Sequence, residues 1–339
     1  MKCVVIRGYG REIDNLVLTE REAPEAIGEQ IRVRVSAVAV NRADLLQRRG
    51  LYPAPEGVPP DIPGLEFVGY VDQVGEAVTL WRGGERVFGV VAGGAYARYL
   101  VTHQRLAVRV PGALTDIEAA AVPEAFISAY DALVHQGGAK RGDVLLVHAV
   151  AGGIGSAAVQ IGGLLGAVVL GTSTSVEKLE RLKHYVDFCP VHAGEGRFQT
   201  QIEERFGPSS VHVILDTVGA RYWEQNLAVL APRGTLVVFG LLGGATVETP
   251  LGLVLFKRLR IIGTALRGRS LEEKICLTEE FGREIVPWLE SGRLMPVVDS
   301  VFPFDRVREA TERMERNENV GKIVLDLEER ERPCAGSAG

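Results

Sequence analysis

The sequence predicts an α/β protein: a doubly wound parallel sheet covered by helices on both faces, accompanied by a smaller antiparallel or barrel-like β domain. Three observations predict it. Short β-branched runs broken by Gly and Pro fill roughly the first 120 residues. From residue 143, near-continuous apolar runs alternate with amphipathic stretches, as strands buried on both faces alternate with covering helices. One junction, DVLLVHAVAGGIGSAAVQIGGLLGA, passes from strand to glycine turn to helix without a break.

The elements follow in order. CVVI, IRVRVSAVAV, EFVGYVDQVG, ERVFGVV and AYARYLVT read as the strands of the first domain. Within GLEFVGYV, residues 64–71, the single carboxylate of Glu66 sits in an apolar run. Burying it without a partner is costly, so we expect a structural ion pair with a nearby arginine, the second domain being one source, rather than a general acid. DVLLVHA, AVVLGT, VHVILDTV, TLVVFG and LRIIGTAL are five strands of the second domain, and VDFCPV supplies a sixth. IGSAAVQIGGLLG, SVEKLERLKHY, RFQTQIEERFG and ARYWEQNLAVLA are the helices between them. After about residue 270, the helical stretch LEEKICLTEEFGREIVPWLESG leads to VVDSVFPFD, a second helix and the strand GKIVLDL. The chain thus returns to complete the first domain, which predicts residues 1–122 with 268–339 as one domain and 123–267 as the other. The tail beyond the last strand reads as a frayed terminus.

Composition limits the function. A chain of 339 residues, 46% apolar and 24% charged, is a soluble globular protein with room for two cores. Net charge is -5, with Lys and Arg scattered, so nothing tracks a nucleic-acid backbone. The opening residues carry no signal-peptide pattern and no apolar run reaches membrane-spanning length, which predicts a cytoplasmic protein with no membrane partner. Cys3, Cys189, Cys276 and Cys334 form no C-x-x-C pair, arguing against a disulfide framework or a structural zinc site.

The glycine turn carries the chemistry. Gly152, Gly153 and Gly155 let the backbone approach a pyrophosphate, and the following helix N-terminus offers unpaired N–H groups and partial positive charge. Val150 stands where the first glycine of G-x-G-x-x-G would be, so the motif rests on the strands and helices around it. About 20 residues on, an acid would bind a ribose 2'-hydroxyl. Here the chain reads VVLGTSTSVEK, with Thr172, Ser173, Thr174 and Ser175 at the strand end and Lys178 one turn later, which favours a 2'-phosphate and therefore NADPH. Lys178 also fits a solvated helix position. The turns in LDTVG, with Thr217, and in VVFGLLGG lie beyond strand carboxyl ends, where the nicotinamide half would sit.

Taken together, NRADLLQRRGLYP, GLEFVGYVDQVG, GERVFG, AAAVPEAFISAYDAL, HAVAGGIG, LDTVG, VFGLLGG and NVGKIVL resemble the medium-chain dehydrogenase/reductase superfamily nearly from end to end. Within it, they look like the zinc-free quinone oxidoreductase branch, and NRADLLQRRGLY, YWEQNLAVLAPRGTLVVFGLLGG and VLFKRLRIIGTALRGRS are similar to its p53-inducible type. The resemblance implies a GroES-like domain beside a Rossmann domain, an active site in the cleft between them, and a homodimer. It implies that Asn41 and Tyr52 face nicotinamide and substrate and that Tyr130 lines the cleft. Gly152, Gly153 and Ile154 would hold the pyrophosphate, Ser173, Ser175 and Lys178 the adenosine phosphate, and Phe239, Gly240 and Leu241 the nicotinamide side. Leu266, Arg267 and Asn319 fall where relatives touch the cofactor. His192 replaces a tyrosine that flanks the 2'-phosphate in many relatives, and it titrates near neutral pH.

Zinc-dependent relatives carry a cysteine before this region, G-H-E within it and four clustered cysteines later. This chain has Asp44, Leu45 and GLE at the first two places and no cysteine between Cys3 and Cys189. Leucine ligates nothing, so no metal is expected. Without a Lewis acid, quinones and other activated conjugated carbonyls suit the site best, the protein orienting reactants while NADPH carries the chemistry. An enoyl reductase is the neighbouring reading, and an NADPH-binding protein of little activity the reading from a different class. Asn41 and Tyr52 equally fit a structural amide and a cleft aromatic.

Overall fold

The computed structural model describes residues 1–328, so the expectation for the C-terminal tail, with Cys334, lies outside the described residues. Strand Gln30–Val40 organises the first half. It pairs antiparallel with Glu66–Val74, with Tyr99–His103 and with the last strand, Lys322–Asp326. Lys322–Asp326 in turn lies parallel to Val298–Pro303, so the chain's end does close the first sheet. Lys2–Ile6 and Leu16–Glu20 form a separate hairpin-like pair. The alternation of IRVRV sends Ile31, Val33 and Val35 inward and leaves the intervening arginines at the rim.

The second half is a six-stranded parallel sheet. Its spatial order is Cys189–His192, Val168–Ser173, Val144–Val147, Val211–Asp216, Leu230–Val238 and Arg260–Gly263, the doubly wound order 3-2-1-4-5-6. Leu145, Leu146, Val147, Ile214 and Leu215 are fully buried, as strands covered on both faces require. The strand order reverses beside Val144–Val147, which opens a crevice at the carboxyl ends of the first and fourth strands.

Two joins hold the halves together. One apolar cluster runs from Val68 and Phe88 in the first sheet, through Ala125 and Phe126, to Ala157 and Ala158 in the helix after the glycine turn. The second is backbone: the Gly321 N–H donates to the Ala151 carbonyl at 2.8 Å, in a bridge that sets Gly152 beside Gly321. The returning strand is therefore pinned to the glycine turn itself.

Two local expectations need revision. The stretch 271–292 forms two helices, Leu271–Glu284 and Val286–Glu290, because Pro287 lacks the N–H that would continue the first. The run GLVLF contributes to a helix, Leu251–Lys257, which the sequence reading did not assign because its apolar residues show no buried stripe. Leu251, Leu255 and Phe256 are instead 70–84% exposed.

Candidate active site

A cleft of about 1070 Å³ separates the two halves. One wall of it is the glycine turn. Ala149 adopts a left-handed conformation (φ 48°), and the helix Gly153–Leu164 begins after an extended Gly152. The three glycines serve different purposes. A Cβ on Gly155 would lie 2.6 Å from the Val150 carbonyl, and one on Gly153 would lie 2.3 Å from Cδ of Lys322. A Cβ on Gly152 would meet only the Ala149 carbonyl, at 3.4 Å, and would otherwise enter the cleft. Packing forbids a side chain at the first two, whereas at Gly152 the space is left to a ligand. The first-turn amides of the helix have no intrahelical acceptor and suit an anion.

At one end of the cleft stand Ser173, Thr174, Ser175 and Lys178. Ser175 caps the helix Val176–Lys183, its Oγ accepting from the Lys178 N–H at 3.2 Å. The Lys178 ammonium donates to the Asn317 carbonyl, and Arg42, from the helix Arg42–Arg48 of the other half, donates to the Asn317 side chain. Burial lowers the Lys178 pKa, with Arg181, Arg42 and Arg313 pushing the same way against Asp299. Among the described residues, neither Lys178 nor Arg42 has a carboxylate in ion-pair contact. His192 stands outside the cleft lining: it is exposed, with Nε2 3.2 Å from the Thr174 carbonyl. Its strand is the edge of the parallel sheet, where His192 is the register partner of Ser173.

The opposite end holds the polar network of Glu66. Its Oε1 accepts from Lys322 Nζ at 2.6 Å and from Asn41 Nδ2 at 2.8 Å, and Oε2 accepts from the Glu124 backbone N–H at 2.9 Å. The expected ion pair is present, but its partner is a lysine of the returning strand, not an arginine, because that strand lies beside Val40. Asn41 lines the cleft, yet both amide hydrogens are engaged, by Glu66 and by the Ala39 carbonyl at 3.2 Å, and its Oδ1 accepts from Lys322. No donor is left for a substrate oxygen.

Tyr52 lines the cleft under the guanidinium of Arg267, which stands 4.9 Å from the ring centre. Arg267 also borders the cleft, but its nitrogens donate to the Ala92 carbonyl, the Tyr52 carbonyl and Gln47, stapling the two halves together. Thr217, Phe239, Gly240, Leu241, Leu266 and Asn319 line the cleft, as do Gly152, Gly153 and Ile154. The Thr217 hydroxyl is buried there without a protein partner.

Tyr130 does not line the cleft. In the helix Pro123–Tyr130 and the wider turn after it, Glu124, Ser128 and Asp131 share the cleft face at i, i+4 and i+7. Tyr130 points away, donating to Glu280 at 2.9 Å and packing on His135. The sequence reading missed Glu124, although the polar spacing within PEAFISAYD carried the signal. It also missed Arg42, whose neighbour Asn317 is distant in the chain and close only in the fold.

Residues 28–112 match the family described as alcohol dehydrogenase GroES-like domain, and residues 190–325 the family described as zinc-binding dehydrogenase. The human synaptic vesicle membrane protein VAT-1 homolog is 29% identical over 345 residues, covering 96% of this chain and 86% of its own length. The quinone oxidoreductase-like protein 2 of Bos taurus is 27% identical over 331 residues, covering 95% and 94%. Among solved structures, the Escherichia coli quinone oxidoreductase complexed with NADPH superposes with a TM-score of 0.86 at 26% identity, covering 96% and 100%. The CurK enoyl reductase superposes with a TM-score of 0.83 at 26% identity, covering 96% and 99%.

The second family's description raises the question of zinc in this cleft, and the donor set does not fit it. Glu66 is held by an ammonium and two N–H groups, and Asp44 accepts from the Asn41 and Gly64 N–H groups and the Tyr96 hydroxyl. Leu65 lies between the strand and the cleft, and no group of three His, Cys, Asp or Glu side chains suited to a metal occurs among the described residues. A dinucleotide does fit: Gly152 leaves room for it, and the Thr217 hydroxyl is a polar group awaiting a partner.

Proposed function

Because the chain belongs to the medium-chain dehydrogenase/reductase superfamily, we propose that it is an NADPH-dependent reductase of quinones and similar activated conjugated carbonyls, working without a metal. The observation that carries this reading is the Glu66 network: an ammonium fills the place beside the carboxylate, which supports an acceptor that takes hydride without a Lewis acid. NADPH, when bound, supplies the hydride. Gly152, Gly153 and Ile154 would hold its pyrophosphate, Ser173, Ser175 and Lys178 its 2'-phosphate, and Thr217, Phe239, Gly240 and Leu241 its nicotinamide half. Arg42 joins Lys178 in that assignment, so the phosphate would bridge both halves and favour a closed cleft. Leu266 and Asn319 border the cofactor, Tyr52 offers its hydroxyl to the substrate, and Asn41 and Arg267 hold the walls. We keep 1–122 with 268–339 and 123–267 as working domains.

Likeness to the CurK enoyl reductase supports a second reading, reduction of a conjugated double bond in a thioester. Steady-state assays with 1,2-naphthoquinone and a crotonyl thioester separate the two. Turnover of the quinone supports the first reading, and turnover of the thioester alone replaces it with the second.

We also propose a cytoplasmic homodimer with small-molecule substrates and no nucleic-acid or membrane partner. No described helix is long and apolar enough to cross a membrane. Exposed Leu251, Leu255 and Phe256 lie on the helix that leads into the edge strand Arg260–Gly263, an apolar area that a second copy would cover. Light scattering on Phe256→Glu should then report a monomer where the wild type is a dimer.

A further inference from the structure

Four carboxyl groups surround the inner end of the cleft, and three are fully engaged. Glu66 is held by Lys322, Asn41 and an N–H group. Asp44 takes two backbone N–H groups and the Tyr96 hydroxyl. Asp131 pairs with Arg269, whose Nη1 donates at 3.1 Å, and also accepts from Thr264 and Gln136. Glu124 alone has no hydrogen bond or ion pair for its carboxyl among the described residues, and it borders the cleft on the face shared with Ser128 and Asp131.

We propose that Glu124 is the proton donor of the reduction, a neutral carboxylic acid held at the cleft wall to protonate the acceptor as it receives hydride. The inference rests on the reductase reading above and names a catalytic residue for it.

The groups facing Glu124 explain why it would keep its proton. Burial in the cleft wall raises its pKa most, the Glu66 charge raises it further and Asp44 adds to this, while Lys322 and Arg267 oppose, leaving it at about 8. Neither opposing cation is in hydrogen-bond contact with the Glu124 carboxyl among the described residues. Lys322 is bound to Glu66, and Arg267 directs its nitrogens to Ala92, Tyr52 and Gln47. The first turn of a helix ordinarily favours a carboxylate. Here the Glu124 N–H is already donated to Glu66, so that positive end serves the neighbouring charge. The nearby Tyr52 phenol is itself pushed up by burial and remains a neutral donor.

The step balances. Hydride forms a C–H bond at the β-carbon of the conjugated acceptor, and the displaced π pair moves onto the carbonyl as an enolate. The Oε–H bond of Glu124 breaks as an O–H bond forms on that enolate oxygen. The acceptor has then gained two electrons and two hydrogens, and the dinucleotide has lost a hydride. Glu124, left as a carboxylate beside Glu66, recovers a proton from solvent entering the cleft. Withdrawing a positioned general acid typically lowers the rate by about 100-fold or more.

The test uses the full chain and two independent readouts. Difference infrared spectroscopy of the cofactor-free protein, wild type against Glu124→Gln, should show a protonated carboxyl band that disappears near pH 8 only in the wild type. In turnover, wild-type kcat/KM should fall above about pH 8. Glu124→Gln should lose about 100-fold in kcat with unchanged NADPH affinity and no such titration, and Glu124→Asp should recover part of the rate. A Glu124 carboxyl that titrates in the ordinary carboxylate range overturns the proposal, as does a Glu124→Gln enzyme with wild-type rate and pH profile. Failure of the wild type to oxidise NADPH with any acceptor overturns the reductase reading instead, and the proton-donor role with it.

Discussion

Replacing Lys322 by methionine keeps most of the stem that packs on Gly153 and removes the charge at its end. The ammonium touches Glu66 at 2.6 Å, the Asn41 side-chain Oδ1 at 2.5 Å and the Val40 backbone carbonyl at 3.3 Å, and the two charged side chains are 5% and 0% exposed. Breaking one partner of such a pair strands the other charge in the interior, which typically costs about 3–5 kcal/mol. Urea unfolding at neutral pH should show a loss of that size. The sign of its pH dependence follows from the unpaired Glu66. A buried carboxyl without a partner is tolerated when neutral and costly when charged, so the loss grows as pH increases. The variant should therefore approach wild type near pH 5 and fall behind near pH 8. Lys322→Met combined with Glu66→Gln removes both charges and should recover most of the loss. A single variant that loses less than about 1 kcal/mol at pH 8, where the loss should be fully expressed, would refute the assignment of this pair as the internal tie. So would a double variant no better than the single.

Three other outcomes follow from the cleft. Lys178→Ala and Arg42→Ala should each raise KM for NADPH by about tenfold or more, with little change for NADH, since a charged hydrogen bond contributes about 1.5–3 kcal/mol; equal effects on both cofactors would remove the 2'-phosphate assignment. Gly152→Ala should leave the unfolding midpoint near wild type while weakening NADPH binding in a fluorescence titration, because its Cβ enters only the cleft. Gly153→Ala should instead destabilise the protein by about 1–3 kcal/mol through its collision with Lys322, a residue pinned at its far end.

Local pattern made much of this molecule readable in advance. The strand, glycine turn and helix around Gly152 follow from contiguous residues, and the apolar strand runs specify a parallel sheet because both faces are covered. What stayed hidden depends on the chain's return. Glu66 meets Lys322 across 256 positions and Arg42 meets Asn317 across 275, and periodicity says nothing about contacts of that span. The partner of Glu66 is a lysine and not the expected arginine, because the returning strand places Lys322 beside Val40, whose carbonyl the ammonium also reaches. Tyr130 was misplaced by helical phase, two residues from Ser128 and so on the far side of the same turn. Glu124 was legible in principle, since a polar residue at i with partners at i+4 and i+7 marks a face, but only the fold shows that this face meets a cleft.

The proposed activity is hydride transfer from NADPH to an activated acceptor without a metal. Its most direct test is NADPH oxidation by protein dialysed against a strong chelator, with 1,2-naphthoquinone as acceptor and zinc added back in a parallel sample. Full turnover after chelation, no gain from zinc and a marked preference for NADPH over NADH are the expected result. Activity that disappears with the chelator and returns with zinc would contradict it.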